Sequence, residues 1–131
     1  MKQIGELIKK QGIKRYQGFV KPNTTATPDD LFDVFLSTLT HSELKVLMYI
    51  IRRTYGFKKD SDRISLSQIC KGIITKENKQ LDFGAGLSKQ GAITAIKDLE
   101  GRGLIKVSRV KTKDGYNKIN VYQLRFRGDN Q

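Results

Sequence analysis

The apolar positions of this chain change period part-way along it. From Leu31 to Leu99 they recur three and four residues apart, the spacing of one helix face; beyond Leu104 they crowd into two runs of β-branched and aromatic residues. Thr27-Pro28-Asp29-Asp30 predicts a helix start, with a hydroxyl cap, Pro at the first helical position and two acids against the positive end of the dipole. Leu31, Phe32, Phe35 and Leu36 would form its apolar face. Thr40 opens a second helix, and Glu43, three residues on, completes a capping box. Leu44, Leu47, Met48 and Ile51 predict the core side of that helix, which stops at Gly56. After the polar turn KKDSD, Arg63 and Ile64 predict a short strand. Ser65 with Gln68 forms a second capping box, opening a brief helix through Ile69 and Cys70. Residues 75–86, TKENKQLDFGAG, are polar and Gly-bearing and read as a loop.

The following stretch, GLSKQGAITAIKDLEGRGLI, places Ser88 as the cap of another helix. At about 100° per residue, Ala92, Ala95, Ile96 and Leu99 fall on one side. Gln90, Thr94 and Lys97 fall opposite, with Lys89 and Ile93 on a flank. No acid interrupts this outer face before Asp98. Any surface helix of a basic protein turns such residues outward, so the face alone decides little; its chemistry nevertheless suits DNA. Gln can bond an adenine edge twice, Lys can reach guanine or phosphate, and Thr or Ile can touch a thymine methyl. Leu104 to Val110 and Ile119 to Phe126 then predict two strands, joined by KTKDGYNK with Asp114-Gly115 at the turn.

Two short capped helices followed by a hairpin is the order of a winged helix-turn-helix, in which the second helix enters the major groove and the hairpin follows the backbone. The predicted fold class is therefore α+β, mainly α: a winged helix-turn-helix with an extra N-terminal helix and a C-terminal hairpin wing. Lys106, Arg109, Lys111, Lys113 and Lys118 lie on or beside that hairpin, where phosphate contacts are needed, and Ser88 joins them at the helix start. Residues 27–128 form the expected domain. Residues 1–26 read as a basic arm, in part disordered, with Ile4, Leu7 and Ile8 at the spacing of a short weak helix.

Charge narrows the partners. The 131 residues carry 25 Lys and Arg against 13 Asp and Glu, a formal net charge of +12, which favours polyanions. No apolar run approaches the roughly 20 residues needed to span a bilayer, and the N-terminus lacks a signal-peptide core, so no membrane partner is expected. A single cysteine, Cys70, and no secretion signal point to the reducing cytoplasm, in association with the nucleoid.

Two long stretches, LTHSELKVLMYIIRRTYGFKKDSDRISLSQI and GLSKQGAITAIKDLEGRGLI, resemble the N-terminal domain of the bacteriophage replication protein O family. The similarity covers roughly residues 16–110, and RRTYGF, RISLSQ and the GLSKQ-to-RGLI helix are its most specific parts. The resemblance implies a winged helix that binds a phage origin, with Ser88 to Leu99 as the recognition helix and Lys89, Gln90, Thr94 and Lys97 facing DNA. It makes Val20 to Asn23 the lead-in to the first helix, and implies double-stranded DNA and a host helicase or its loader as partners. The helicase contact belongs to a C-terminal region of the family. A chain ending just after the hairpin is accordingly expected to be a fragment or a shortened relative. The chain departs from the family at Gly91, where Thr or Ser is commoner, and in the inserted 75–86 loop, which bears on the angle of the helix in the groove.

Catalytic chemistry has little to build on, and no catalytic residue, metal site or cofactor is expected. His41, the one histidine, lies in a capping box; Cys70 reads as a small core residue. There is no GxxxxGK loop, no second Cys or His for zinc, and too few oxygens in KKDSDR for calcium. Arg52 and Arg53 suit either phosphates or, more simply, the solvated back of the core helix; Tyr55 and Phe57 read as core. The functional expectation is a non-enzymatic replication initiator recognising origin repeats. A winged-helix transcriptional regulator and a protein-interaction module of a primosome stand as alternatives. Oligomeric state is left open.

Overall fold

In the computed structural model, which describes residues 17–21, 23–110 and 119–128, the two capping boxes form as their spacing requires. Helix α1, His41–Thr54, begins where the Thr40 hydroxyl accepts from the Glu43 backbone N–H (3.2 Å) and the Glu43 carboxylate accepts from the Thr40 N–H (2.8 Å). Helix α2, Leu66–Lys71, repeats the device with Ser65 and Gln68. Helix α3, Lys89–Gly101, is capped by Ser88, whose hydroxyl accepts from the Gly91 N–H at 3.0 Å. Each such cap is worth about 1 kcal/mol, a large part of what a six-residue helix such as α2 can supply for itself.

The strands are β1, Ser61–Ser65, β2, Ile105–Arg109, and β3, Ile119–Leu124. They form one antiparallel sheet in the order β1-β3-β2, so the strand between Asp60 and the second capping box joins the C-terminal hairpin and makes β3 central. Tyr122 pairs with Asp62 on one side and Val107 on the other. Alternation then places Ile64, Ile105, Tyr122 and Leu124 inward, all buried against the helices. Lys106, Ser108, Arg63 and Gln123 lie on the opposite face.

The core consists of Val46, Leu47, Ile50 and Ile51 of α1, Ile69 of α2, Ala92, Ala95, Ile96 and Leu99 of α3, and the inward sheet residues. The buried stripe of α1 differs from the predicted one. Glu43, Val46, Leu47, Ile50 and Thr54 run along it, with Tyr49, Ile51 and Arg53 also buried, whereas Met48 is half exposed. Polar residues obscured the pattern: Glu43 is spent on the cap, and the Thr54 hydroxyl donates to the Ile50 carbonyl at 2.8 Å.

Other expectations change as well. The backbone after Pro28 does turn helically, but it closes as a π-helical turn, Leu31–Phe35, and the Thr27 hydroxyl donates to the Thr25 carbonyl instead of capping it. Leu31 is buried and Phe35 packs on the core; Phe32 and Leu36 are about half exposed, because so short an element presents only one side to α1. The end of α1 tightens into a 3₁₀ turn, Tyr55–Phe57. Tyr55 is half-buried and stacks on Phe126 with centroids 6.0 Å apart, but Phe57 is exposed and lies under the Arg52 guanidinium at 4.6 Å. The predicted helix in Met1–Lys14 and the Asp114-Gly115 turn fall outside the described residues.

Candidate nucleic-acid interface

Helix α3 divides cleanly into two faces. Ala92, Ala95, Ile96 and Leu99 are at most 6% exposed. Lys89, Gln90, Thr94 and Lys97 are exposed, and Ile93 is half-buried on the flank. Gln90, Thr94 and Lys97 share an arc of about 60°, since positions four and seven residues on advance by about 40° and −20°. The Gln90 amide donates to the Thr94 hydroxyl at 3.3 Å, which leaves its carbonyl oxygen and second N–H facing outward.

Helix α3 is tied to α1 and to the sheet. At its C-terminal end Arg102 reaches the buried Glu43 carboxylate at 3.3 Å, and Glu100 holds Arg109 of β2 through two hydrogen bonds of 2.6 and 3.0 Å. Those bonds push the Arg109 pKa further up. Arg109 therefore reaches the surface already engaged by a carboxylate, a partner that its place in a basic run did not reveal. Glu43 is held below the usual carboxylate range, first by the Thr40 N–H and then, against the opposing effect of burial, by Arg102.

The predicted phosphate contacts are partly in view. Ser88 is exposed at the start of α3, and Lys106 is exposed on the outer face of β2. Lys111, Lys113 and Lys118 lie outside the described residues.

Arg53 takes neither role considered for it. It is buried, pairs with Asp62 at 3.0 Å, and donates to the Tyr49 hydroxyl, the Gln68 side chain and the Arg63 carbonyl. Tyr49 in turn donates to Asp82. Burial, opposed by the Arg53 hydrogen bond, pushes the Tyr49 pKa up to about 12, so the hydroxyl keeps its proton and remains a donor to that carboxylate. This network holds α1, β1, α2 and the 75–86 segment in fixed relation. Burial likewise raises the Cys70 thiol, against the fields of Lys71 and Lys89, which suits a structural cysteine. Among the described residues no three His, Cys, Asp or Glu side chains gather as a metal site, and no helix is long and apolar enough to cross a membrane.

The sequence profile of bacteriophage replication protein O matches residues 25–122, from before the π-helical turn into β3. The chain belongs to the bacteriophage replication protein O family. Comparison with curated proteins and with solved structures returns no match. Membership assigns this family member to phage replication, and the matched span includes α1, the two capped helices after it and both faces of α3.

Proposed function

We propose that the chain is a non-enzymatic, sequence-specific duplex-DNA-binding module of a phage replication initiator, built as a winged helix-turn-helix and recognising repeats in an origin. One observation carries this reading: α3 seals its apolar side completely while aligning Gln90, Thr94 and Lys97, free of acids, in one exposed arc. In the groove, Gln90 offers a donor and an acceptor to an adenine edge, Lys97 a donor to guanine, and Thr94 and Ile93 methyl contacts to thymine. Lys89 and Ser88 stand at the entering end, and Lys106, with the hairpin lysines 111, 113 and 118, supplies phosphate contacts. Arg109 contributes to these once it parts from Glu100.

Selection of bound duplexes from a random pool at fixed salt tests the reading. Lys97→Ala is expected to cost about 1–3 kcal/mol on the selected duplex and far less on random DNA, whereas Lys106→Gln lowers the salt slope by about one on both. Equal losses for Lys97→Ala on the two duplexes would remove it from the reading set.

A second reading, a protein-interaction module of a primosome, has its own observation. A recess of about 740 Å³ lies between Leu31, Phe35, Ile51, Leu104 and Phe126. Absence of salt-sensitive binding to any duplex would favour it.

A further inference from the structure

The segment joining α2 to α3 is a built element. Its base is closed by hydrogen bonds from the Ala85 and Gly86 N–H groups to the carbonyls of Ile69 and Cys70 (2.6 and 3.1 Å), two acceptors in the last turn of α2. Above them Leu81 donates to Ile73, Ile74 and Gln80 form an antiparallel bridge, and the Gln80 amide donates to the Lys71 carbonyl at 3.0 Å. The tip is tied as well: Thr75 and Lys79 exchange backbone and hydroxyl bonds of 2.9 and 3.0 Å around Asn78, which sits at φ 64°. The crossing at the base is so close that a Cβ on Gly72 would collide with the Asp82 carbonyl, and one on Gly84 would lie 2.6 Å from the Gln68 carbonyl.

Charge on this element is arranged outward. Lys71, Lys76 and Lys79 are exposed, and none of the ion pairs among the described residues uses them; Arg53, Lys59, Arg102 and Arg109 are all paired. Of its two acids, Asp82 is occupied by the Tyr49 hydroxyl and the Gly84 N–H, which leaves Glu77 alone among the three lysines. The position is equally specific. Gly86 is two residues before the Ser88 cap, and Lys71 and Lys89 both bring their charge to Cys70. The hairpin is tied to the opposite end of α3, at Glu100, about 18 Å along the axis from Ser88 at 1.5 Å per residue.

We propose that Lys71 and the 72–87 excursion form a second phosphate-binding arm, gripping the DNA backbone beside the N-terminal end of α3 while the hairpin grips it beyond the other end. The proposal rests on the duplex-DNA reading above. An arm already held by its own hydrogen bonds gives up little freedom on binding, so its contacts fix the register of α3 in the groove as well as adding attraction.

Anisotropy titrations over a salt series, on the selected duplex and on a random duplex of equal length, test it. Compared are the wild type, Lys71→Gln/Lys76→Gln/Lys79→Gln, Lys106→Gln, and Lys45→Gln/Lys58→Gln as a control for overall charge. Each phosphate contact contributes about 0.9 to the slope of log K on log salt, so the triple variant is expected to lose about 2–3 on both duplexes. Hydroxyl-radical footprinting is expected to lose protection on one flank of the site only. Lys76→Gln alone, at a side chain in no hydrogen bond, should lose about one, which keeps the test independent of any effect on folding. A triple variant with the wild-type slope, or a loss per lysine no greater than the control's, overturns the arm while Lys106→Gln still reports DNA binding. A wild type without salt-sensitive duplex binding instead overturns the DNA reading itself.

Discussion

Arg53 shows how a single side chain can conceal its role in sequence. Beside Arg52 it reads as one of a pair of surface cations, yet it is 8% exposed and its guanidinium joins Asp62, Tyr49, Gln68 and the Arg63 carbonyl. Nothing in the local spacing announces this, because its partners come from three stretches of chain, two of them beyond its own helix. Arg53→Ala is expected to destabilise the fold by about 3 kcal/mol in urea unfolding, since it strands the Asp62 carboxylate with only the exposed Lys59 beside it. Glu43 is the converse case: its capping role was legible from the Thr40 spacing, but its burial and its bond to Arg102, 59 residues away, were not. Its folded pKa lies below the ordinary 4.5, so the ionised carboxylate stabilises the protein above that value and the contribution disappears as pH falls through the folded pKa. Glu43→Gln should therefore melt about 4 °C lower than wild type near neutrality, for a loss of about 1 kcal/mol, with the gap narrowing below pH 4.5.

Elements were legible where the signal was local. The caps at Thr40, Ser65 and Ser88 and the apolar face of α3 follow from spacings of three and four residues, and all form. The pairing of β1 with β3 does not follow, because its partners are more than fifty residues apart and only the closed fold brings them together. The 75–86 segment is a loop, as its polar, Gly-bearing composition predicts, but its internal order was not legible. Its order comes from main-chain bonds to α2 and from glycines that allow a close crossing, and neither has an apolar period to detect. Gly91 is a glycine in an otherwise regular helix. It has an ordinary helical backbone, and a Cβ there would meet only the Ser88 hydroxyl, at 3.1 Å, an atom that a small χ1 rotation moves aside. Gly91→Ala is thus expected to stabilise the protein by about 0.5–1 kcal/mol in thermal unfolding. Under the duplex-DNA reading the same change weakens binding, since the added methyl stands in the first turn that approaches the groove. Unchanged affinity in the stabilised variant would show that Gly91 has no part in that approach.

At the scale of the whole molecule, a net charge of +12 is distributed so that some cations hold the fold together and others are left to solvent. The total favours a polyanion as partner but does not tell which cations remain available, because Glu100 and Arg109 are nine residues apart on different elements. Their pair is 43% exposed on the arginine side and 28% on the glutamate side, so it contributes about 0.2–1 kcal/mol to stability. Its larger effect under the DNA reading is competitive: Glu100 occupies the guanidinium that phosphate would take, and it places a negative charge at the end of the reading helix. Glu100→Gln leaves a neutral side chain of the same shape and releases Arg109. Affinity for random duplex is expected to rise and its salt slope to steepen by up to about one, while discrimination in favour of the selected duplex falls. Anisotropy titrations at several salt concentrations measure all three quantities. A slope equal to that of the wild type would mean that Arg109, even when freed, remains out of reach of the backbone and that Glu100 serves only to join α3 to the sheet.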